Sequence, residues 1–178
     1  MKKLILVLLI GLLVGTAVFA DHDGFGIGLI LGGGGYSNNW GFHPGISLKI
    51  PSIPIFWGIY TNWNYAGNYN NFGLTVTGDY YIIDQNIVSA GDSYKFILDW
   101  YFGLGGAVWM NFWNVNGGDS GLGVGLGLRV PVGLSWHVFK PFEIALGLIP
   151  TFGIYLSKYD GGFWWNIDGE LILRVWIK

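Results

Sequence analysis

Few side chains in this chain have the type and spacing for chemistry, and they fall into three groups. Ser135 and His137 lie two residues apart, so an extended strand would put both on one face, together with several carboxylates; a hydroxyl beside an imidazole is the start of a lipolytic Ser/His arrangement. No acid is clearly placed to orient His137, and the pair reads as two small polar residues near a strand end. Asp21, His22 and Asp23 offer metal-ligand types in succession, but read as a terminal tail and not a site. The third group is a set of charges embedded in apolar stretches: Lys49, Asp79, Asp99, Arg129, Glu143, Asp168, Glu170 and Arg174. Their chemistry is mutual pairing, because a lone charge away from water is costly. No dinucleotide, phosphate-loop, zinc-protease or nucleophile-elbow motif occurs. The chain contains no cysteine, which excludes disulfides and thiolate metal sites. The expectation is a protein that is not an enzyme, with no catalytic, cofactor-binding or metal residues.

The elements that must position these charges are strands. Residues 121–138, GLGVGLGLRVPVGLSWHV, put Leu122, Val124, Leu126, Leu128, Val130, Val132, Leu134, Trp136 and Val138 on one face. Glycines, Arg129, Pro131, Ser135 and His137 fall on the other. A period of two is the mark of a strand with one apolar face, and a helix would scatter both sets. The same period recurs over residues 25–32, 43–50, 53–63, 72–83, 95–112, 143–156 and 163–178, which makes eight strands joined by short links. The segment DQNIVSAGDS after residue 83 reads as a polar connection. Pro131 and Pro150 fall inside strands where neither can donate to a ladder, so a bulge or kink is expected near each.

Composition sets the environment. Hydrophobic residues make up 52% of the 178 and charged residues 11%, against roughly 25% charge in soluble domains. A formal charge of −2 gives no basic patch for nucleic acid. Residues 1–20 carry Lys2 and Lys3, then an apolar run, then Val18 and Ala20 before Asp21: the pattern of a cleaved signal peptide. Residues 21–178 then form one domain, and no later stretch is apolar enough for a helical span. A very apolar chain with eight strands and no helical span points to an all-β, antiparallel, up-and-down transmembrane β-barrel, since a closed barrel also satisfies every backbone group in lipid.

The charges decide which face meets lipid. The eight residues above, and Lys178, all lie on the small or polar face, whereas a charge on the lipid face near midplane costs roughly 2–4 kcal/mol. The apolar face is therefore the outside, and the polar face lines a lumen just wide enough for side chains to fill. Inward glycines would leave that lumen hollow unless large rings such as Tyr81, Tyr101, Trp109 and Trp164 lie over them. Hairpin arithmetic around residues 158–161 sets Glu143 opposite Trp176 and diagonal to Arg174 and Lys178, and the turn at Lys140 sets Arg129 level with Thr151, which in turn sits level with Asp168. The expected lumen charge network joins Arg129, Asp168 and Glu170, with a second cluster of Glu143 and Arg174.

On this architecture the chain resembles the small eight-stranded outer-membrane barrels of the OmpA/OmpX-like and OmpW-like families. More loosely, its richness in glycine and aromatic residues resembles small spirochaetal barrels of unknown function. One departure is the C-terminal sequence Val175, Trp176, Ile177, Lys178, where such barrels usually end in an aromatic residue read by the insertion machinery. The resemblance implies location in the cell outer membrane, with outer-membrane lipid and the barrel-assembly machinery as partners, and no cofactor. It implies short periplasmic turns at IPSIP, DQNIVSAGDS and VFKPF, and short outer loops at GGGYSNNWGF, NYAGNYNN, NVNGGDS and SKYDGG. The first expectation for function is a largely filled barrel with a structural or envelope-integrity role. The alternatives are a narrow channel for small or hydrophobic solutes and a surface adhesin with a host ligand.

Overall fold

The computed structural model describes residues 24–36, 39–66, 69–91, 96–115, 120–139, 141–158 and 161–177. The expected signal peptide over residues 1–20, the Asp21–His22–Asp23 group and Lys178 lie outside the described residues.

Every described element is a strand: β1 (Phe25–Tyr36), β2 (Asn39–Lys49), β3 (Phe56–Ala66), β4 (Tyr69–Ala90), β5 (Phe96–Val115), β6 (Ser120–Arg129), β7 (Val132–Phe139), β8 (Phe142–Ser157) and β9 (Gly161–Ile177). All pairings are antiparallel, and β1 pairs with both β2 and β9. On the far side β5 pairs with β4 and with β6 and β7, and β8 pairs with β6 and β7 and with β9. The sheet therefore closes on itself as a ring of eight positions, in which β6 and β7 share one position end to end.

The interruption between β6 and β7 lies at Val130 and Pro131, and it carries no bulge of the kind expected there. Arg129 faces Gly105 and Val132 faces Phe102, so the register runs on unbroken along β5. On the β8 side Arg129 faces Thr151 and Val132 faces Leu148, again without a shift. What is lost is a donor. Gly103 N donates to Pro131 O at 2.8 Å and Val130 N to Pro150 O at 2.9 Å, but neither proline has an N–H to return the bond. The two prolines sit on adjacent rungs, so the ladder is thinned there and keeps its alignment.

The register shifts lie elsewhere, between Tyr81 and Ile83 and between Asn86 and Val88 on β4, and between His137 and Phe139 on β7. They explain why β4 continues to Ala90 through residues expected to form a connection. Each bulge inserts one residue and resets the period, so Asp84 pairs with Tyr101 and Asn86 with Asp99, and pairing with β5 persists although the alternation is broken. Strand β3 starts at Phe56 and not at residue 53, because residues 50–53 close a turn through Ile53 N to Ile50 O at 3.1 Å.

The outward apolar face forms a belt. Leu29, Leu104, Leu126, Leu128, Leu146 and Ile154 are all at least half exposed, with Leu128 the most open of these at 71%. The polar face is turned inward, where Ser47, Thr77, Asp79, Arg129, Glu143 and Arg174 are buried. The molecule is thus reversed relative to a soluble protein, with charges inside and aliphatic side chains outside.

Candidate functional site: a filled lumen with one open cavity

Three polar clusters tie the barrel wall together from within. In the first, Arg129 at the end of β6 places Nε 3.1 Å from Asp79 Oδ1 on β4 and Nη2 3.0 Å from Glu170 Oε1 on β9. Tyr60 on β3 donates its hydroxyl to the same Glu170 oxygen at 2.9 Å. In the second, Arg174 on β9 donates Nη1 to Glu143 Oε1 at 2.7 Å and Oε2 at 2.8 Å, and Nη2 to Ser47 Oγ at 2.9 Å. Trp176 Nε1 and Ser135 Oγ also donate to Glu143, at 2.6 and 2.9 Å. In the third, Asp99 accepts from Asn86 Nδ2 at 3.1 Å and lies 3.6 Å from His137 Nε2. Lys49 turns to the adjacent turn, donating to Ile50 O at 3.2 Å and Ile53 O at 2.7 Å.

Between the first two clusters the lumen is closed by rings. Tyr81 stacks on Phe56 with centroids 4.2 Å apart and on Tyr101 at 4.5 Å, with interplanar angles of 15° and 8°. The Arg174 guanidinium lies 4.9 Å from the Phe56 centroid, so cluster and stack are continuous. The space left among these side chains is about 10 Å³, at the threshold of roughly 10–15 Å³ that a single water needs.

Glycines make room for this packing. The Tyr101 hydroxyl lies over Gly133 and Gly147, the Trp109 indole over Gly125, Gly127 and Gly153, and Tyr155 over Gly123. A Cβ on Gly125 would stand inside the Trp109 ring, which accounts for the run of small inward residues along β6.

Above the ring stack, towards the β3–β4 and β8–β9 hairpin links, the lumen widens into a half-open cavity of about 270 Å³. Arg129, Tyr60 and Glu170 form part of its lining, together with Trp109, Trp164, Asn166 and Asp168. Trp109 and Trp164 meet edge to face at 4.3 Å.

Among the residues singled out in the sequence, Asp79, Arg129 and Glu170 come together, Glu143 joins Arg174, and Asp99, Lys49 and Asp168 stand apart from those two groups. Asp168 is held by Asn166, whose Nδ2 donates to both carboxylate oxygens at 3.1 and 3.0 Å, and is not part of the Arg129 ion-pair group. The reason is register. Glu143 faces Arg174 and not Trp176, and Thr151 faces Asn166 and not Asp168, so the β8–β9 hairpin sits two residues from the expected alignment. Asp79 was not expected opposite Arg129; the two are brought level because both pair with Gly105 of β5. The sequence places Tyr60 and Trp176 among the inward rings and Ser47 on the inward face of its strand, but does not mark them as hydrogen-bond partners of the charges. Asn86 was hidden by the bulges of β4. Ser135 gives its single hydroxyl proton to Glu143 and not to His137, so the Ser/His pair is not joined through that proton. Among the described residues no group of three or more His, Asp or Glu side chains is placed to hold a metal ion.

No family model and no curated protein matches the chain. Among solved structures, Neisserial surface protein A matches with a TM-score of 0.53 and 14% identity, covering 86% of this chain and 96% of that one. Ail, the attachment invasion locus protein of Yersinia pestis, matches with a TM-score of 0.42 and 15% identity, covering 86% of this chain and 95% of that one. The closed ring of eight positions and the likeness to Neisserial surface protein A together give this chain the fold of the small, OmpX-like outer-membrane β-barrels.

Proposed function

We propose that this chain is an outer-membrane barrel with a sealed lumen and a structural, envelope-stabilising role. The observation that carries the reading is the stack of Phe56, Tyr81 and Tyr101 between two buried ion-pair clusters, which leaves about 10 Å³ at that level. The apolar belt around Leu126, Leu128 and Leu146 supports burial of the wall in lipid, and the cluster of Asp79, Arg129, Glu170 and Tyr60 ties β4, β6, β9 and β3 together inside the lumen. The test is planar-bilayer recording on the full chain folded into detergent and then reconstituted. The wild-type barrel gives no steady openings, and a Phe56→Ala, Tyr81→Ala, Tyr101→Ala variant does. Steady openings of the wild-type barrel would instead establish a narrow channel.

A further inference from the structure

We propose that the half-open cavity above the ring stack binds a small organic cation, a free alkylammonium ion. The charges around this cavity do not balance. Asp168 and Glu170 line it, and among the described residues Arg129 is the single Lys or Arg side chain that does so. That guanidinium is shared by Glu170 and Asp79, so three carboxylates stand against one guanidinium and, with histidine counted as neutral, two negative charges are left over. The cluster below the ring stack is different, since Glu143 there faces Arg174 one to one. An unbalanced charge in a low-dielectric lumen is costly, and a bound cation offsets it.

Two carboxylates are placed to receive it. Glu170 is only 5% exposed, and its Oε1 accepts from Arg129 Nη2 at 3.0 Å and from the Tyr60 hydroxyl at 2.9 Å. Its Oε2 keeps accessible surface and has no hydrogen-bond partner among the described residues. Asp168 lies two residues along β9, on the same inward face, where the neutral Asn166 amide holds it and no ion pair forms among the described residues. An ammonium group has three donors and no acceptor, which suits oxygens that can only accept. A metal ion is a poor match: among the described residues no group of three or more His, Asp or Glu side chains is placed to hold one, and about 270 Å³ is far more than one ion fills. The indole rings of Trp109 and Trp164 in the wall suit the methylene groups of an alkylammonium ion and, at their faces, its charge. An ammonium on a lipid headgroup would bring its phosphate against Asp168 and Glu170, so the free amine is the better match. The inference rests on the charge of the cavity and holds whether or not the ring stack conducts.

The test is isothermal titration calorimetry at low ionic strength on the full chain, folded in a non-ionic detergent. His43 also lines the cavity and competes as a positive charge when protonated, so the titration is run at pH 8. The probes are butylamine and 1,4-diaminobutane, with 1-butanol, butyrate and phosphoethanolamine as comparisons. Saturable binding of at least one amine is expected, weakened by added salt, with every comparison binding more weakly than butylamine. Asp168→Asn removes one charge at nearly constant shape and weakens amine binding roughly tenfold, the effect of about one charge-assisted hydrogen bond. Glu170→Gln serves the same purpose if that variant fails to fold, and Leu128→Ala on the outer wall leaves the affinity unchanged. Heat-modifiable migration on gels checks that each variant is folded. The proposal is overturned if neither amine binds saturably, if butanol or butyrate binds as tightly as butylamine, or if the folded lumen variant binds as well as the wild type. Phosphoethanolamine binding as tightly as butylamine overturns the choice of a free amine.

Discussion

Asp79 and Arg129 meet across Gly105: each pairs with that glycine from its own side of β5, and Arg129 Nε lies 3.1 Å from Asp79 Oδ1. The carboxylate leans into the space a Cβ on Gly105 would take. The same device recurs at Gly28, which pairs with both Ser47 and Arg174, the two residues joined by the 2.9 Å bond from Nη2. Inward glycines thus act as gaps through which side chains two strands apart touch.

Removing Arg129 leaves two buried carboxylates, Asp79 and Glu170, without their counter-ion, whereas removing Asp79 leaves Arg129 its bond to Glu170. Arg129→Met should destabilise the barrel by about 3–5 kcal/mol and Asp79→Leu by less, and the two combined by less than the sum of the single changes. Urea unfolding of the vesicle-inserted barrel, followed by tryptophan fluorescence, measures all three; additive losses would show that the pair is not coupled.

The packing of Trp109 on Gly125 predicts a compensating pair. Gly125→Ala puts a methyl group where the indole lies and should cost about 1–3 kcal/mol by overpacking. Trp109→Leu in the same chain relieves that clash, so the alanine costs less when the indole has been replaced than in the wild type. A double-mutant cycle on the unfolding free energies reads the difference, and an equal cost in both backgrounds refutes the contact.

Tyr81 is the middle ring of the stack and touches both Phe56 and Tyr101. Truncation to alanine should cost about 3–5 kcal/mol, as for other large buried aromatic side chains, and more than the same change at Tyr155 nearer the rim. Equal losses at the two sites, measured in urea, would mean that the stack adds nothing beyond ordinary filling.

Leu128 and Phe163 both face outward and are almost equally open, at 71% and 70%. They differ in depth: Leu128 pairs with Gly106 and Phe152 well inside the wall, while Phe163 is two residues from the start of β9. Leu128→Arg should therefore cost about 2–4 kcal/mol in a bilayer and Phe163→Arg about 0–1 kcal/mol. The contrast should be lost in small detergent micelles that adapt to the charge, and equal costs in vesicles would argue against lipid around Leu128.

Which side of each strand faces the lumen was legible in the chain alone. Alternation is a local property of extended backbone, so the inward placement of Arg129, Glu143, Glu170 and Arg174, and the outward placement of Leu126 and Leu128, followed from parity. Parity also survives a two-residue slip, which is why the β8–β9 alignment was missed without any side chain changing face. Closure of the ring settled the rest. Whether Arg129 meets Asp79 or Asp168 depends on the summed registers of strands distant in sequence and on Gly105 between them, and no local period encodes that sum. The extent of β4 was likewise set by its pairing with β5, because two bulges erase the alternation while the ladder continues. Filling of the lumen was a matter of distance: the glycines of β6 announced space, and only the closed ring brought Trp109, Tyr155 and Tyr101 across neighbouring strands to occupy it.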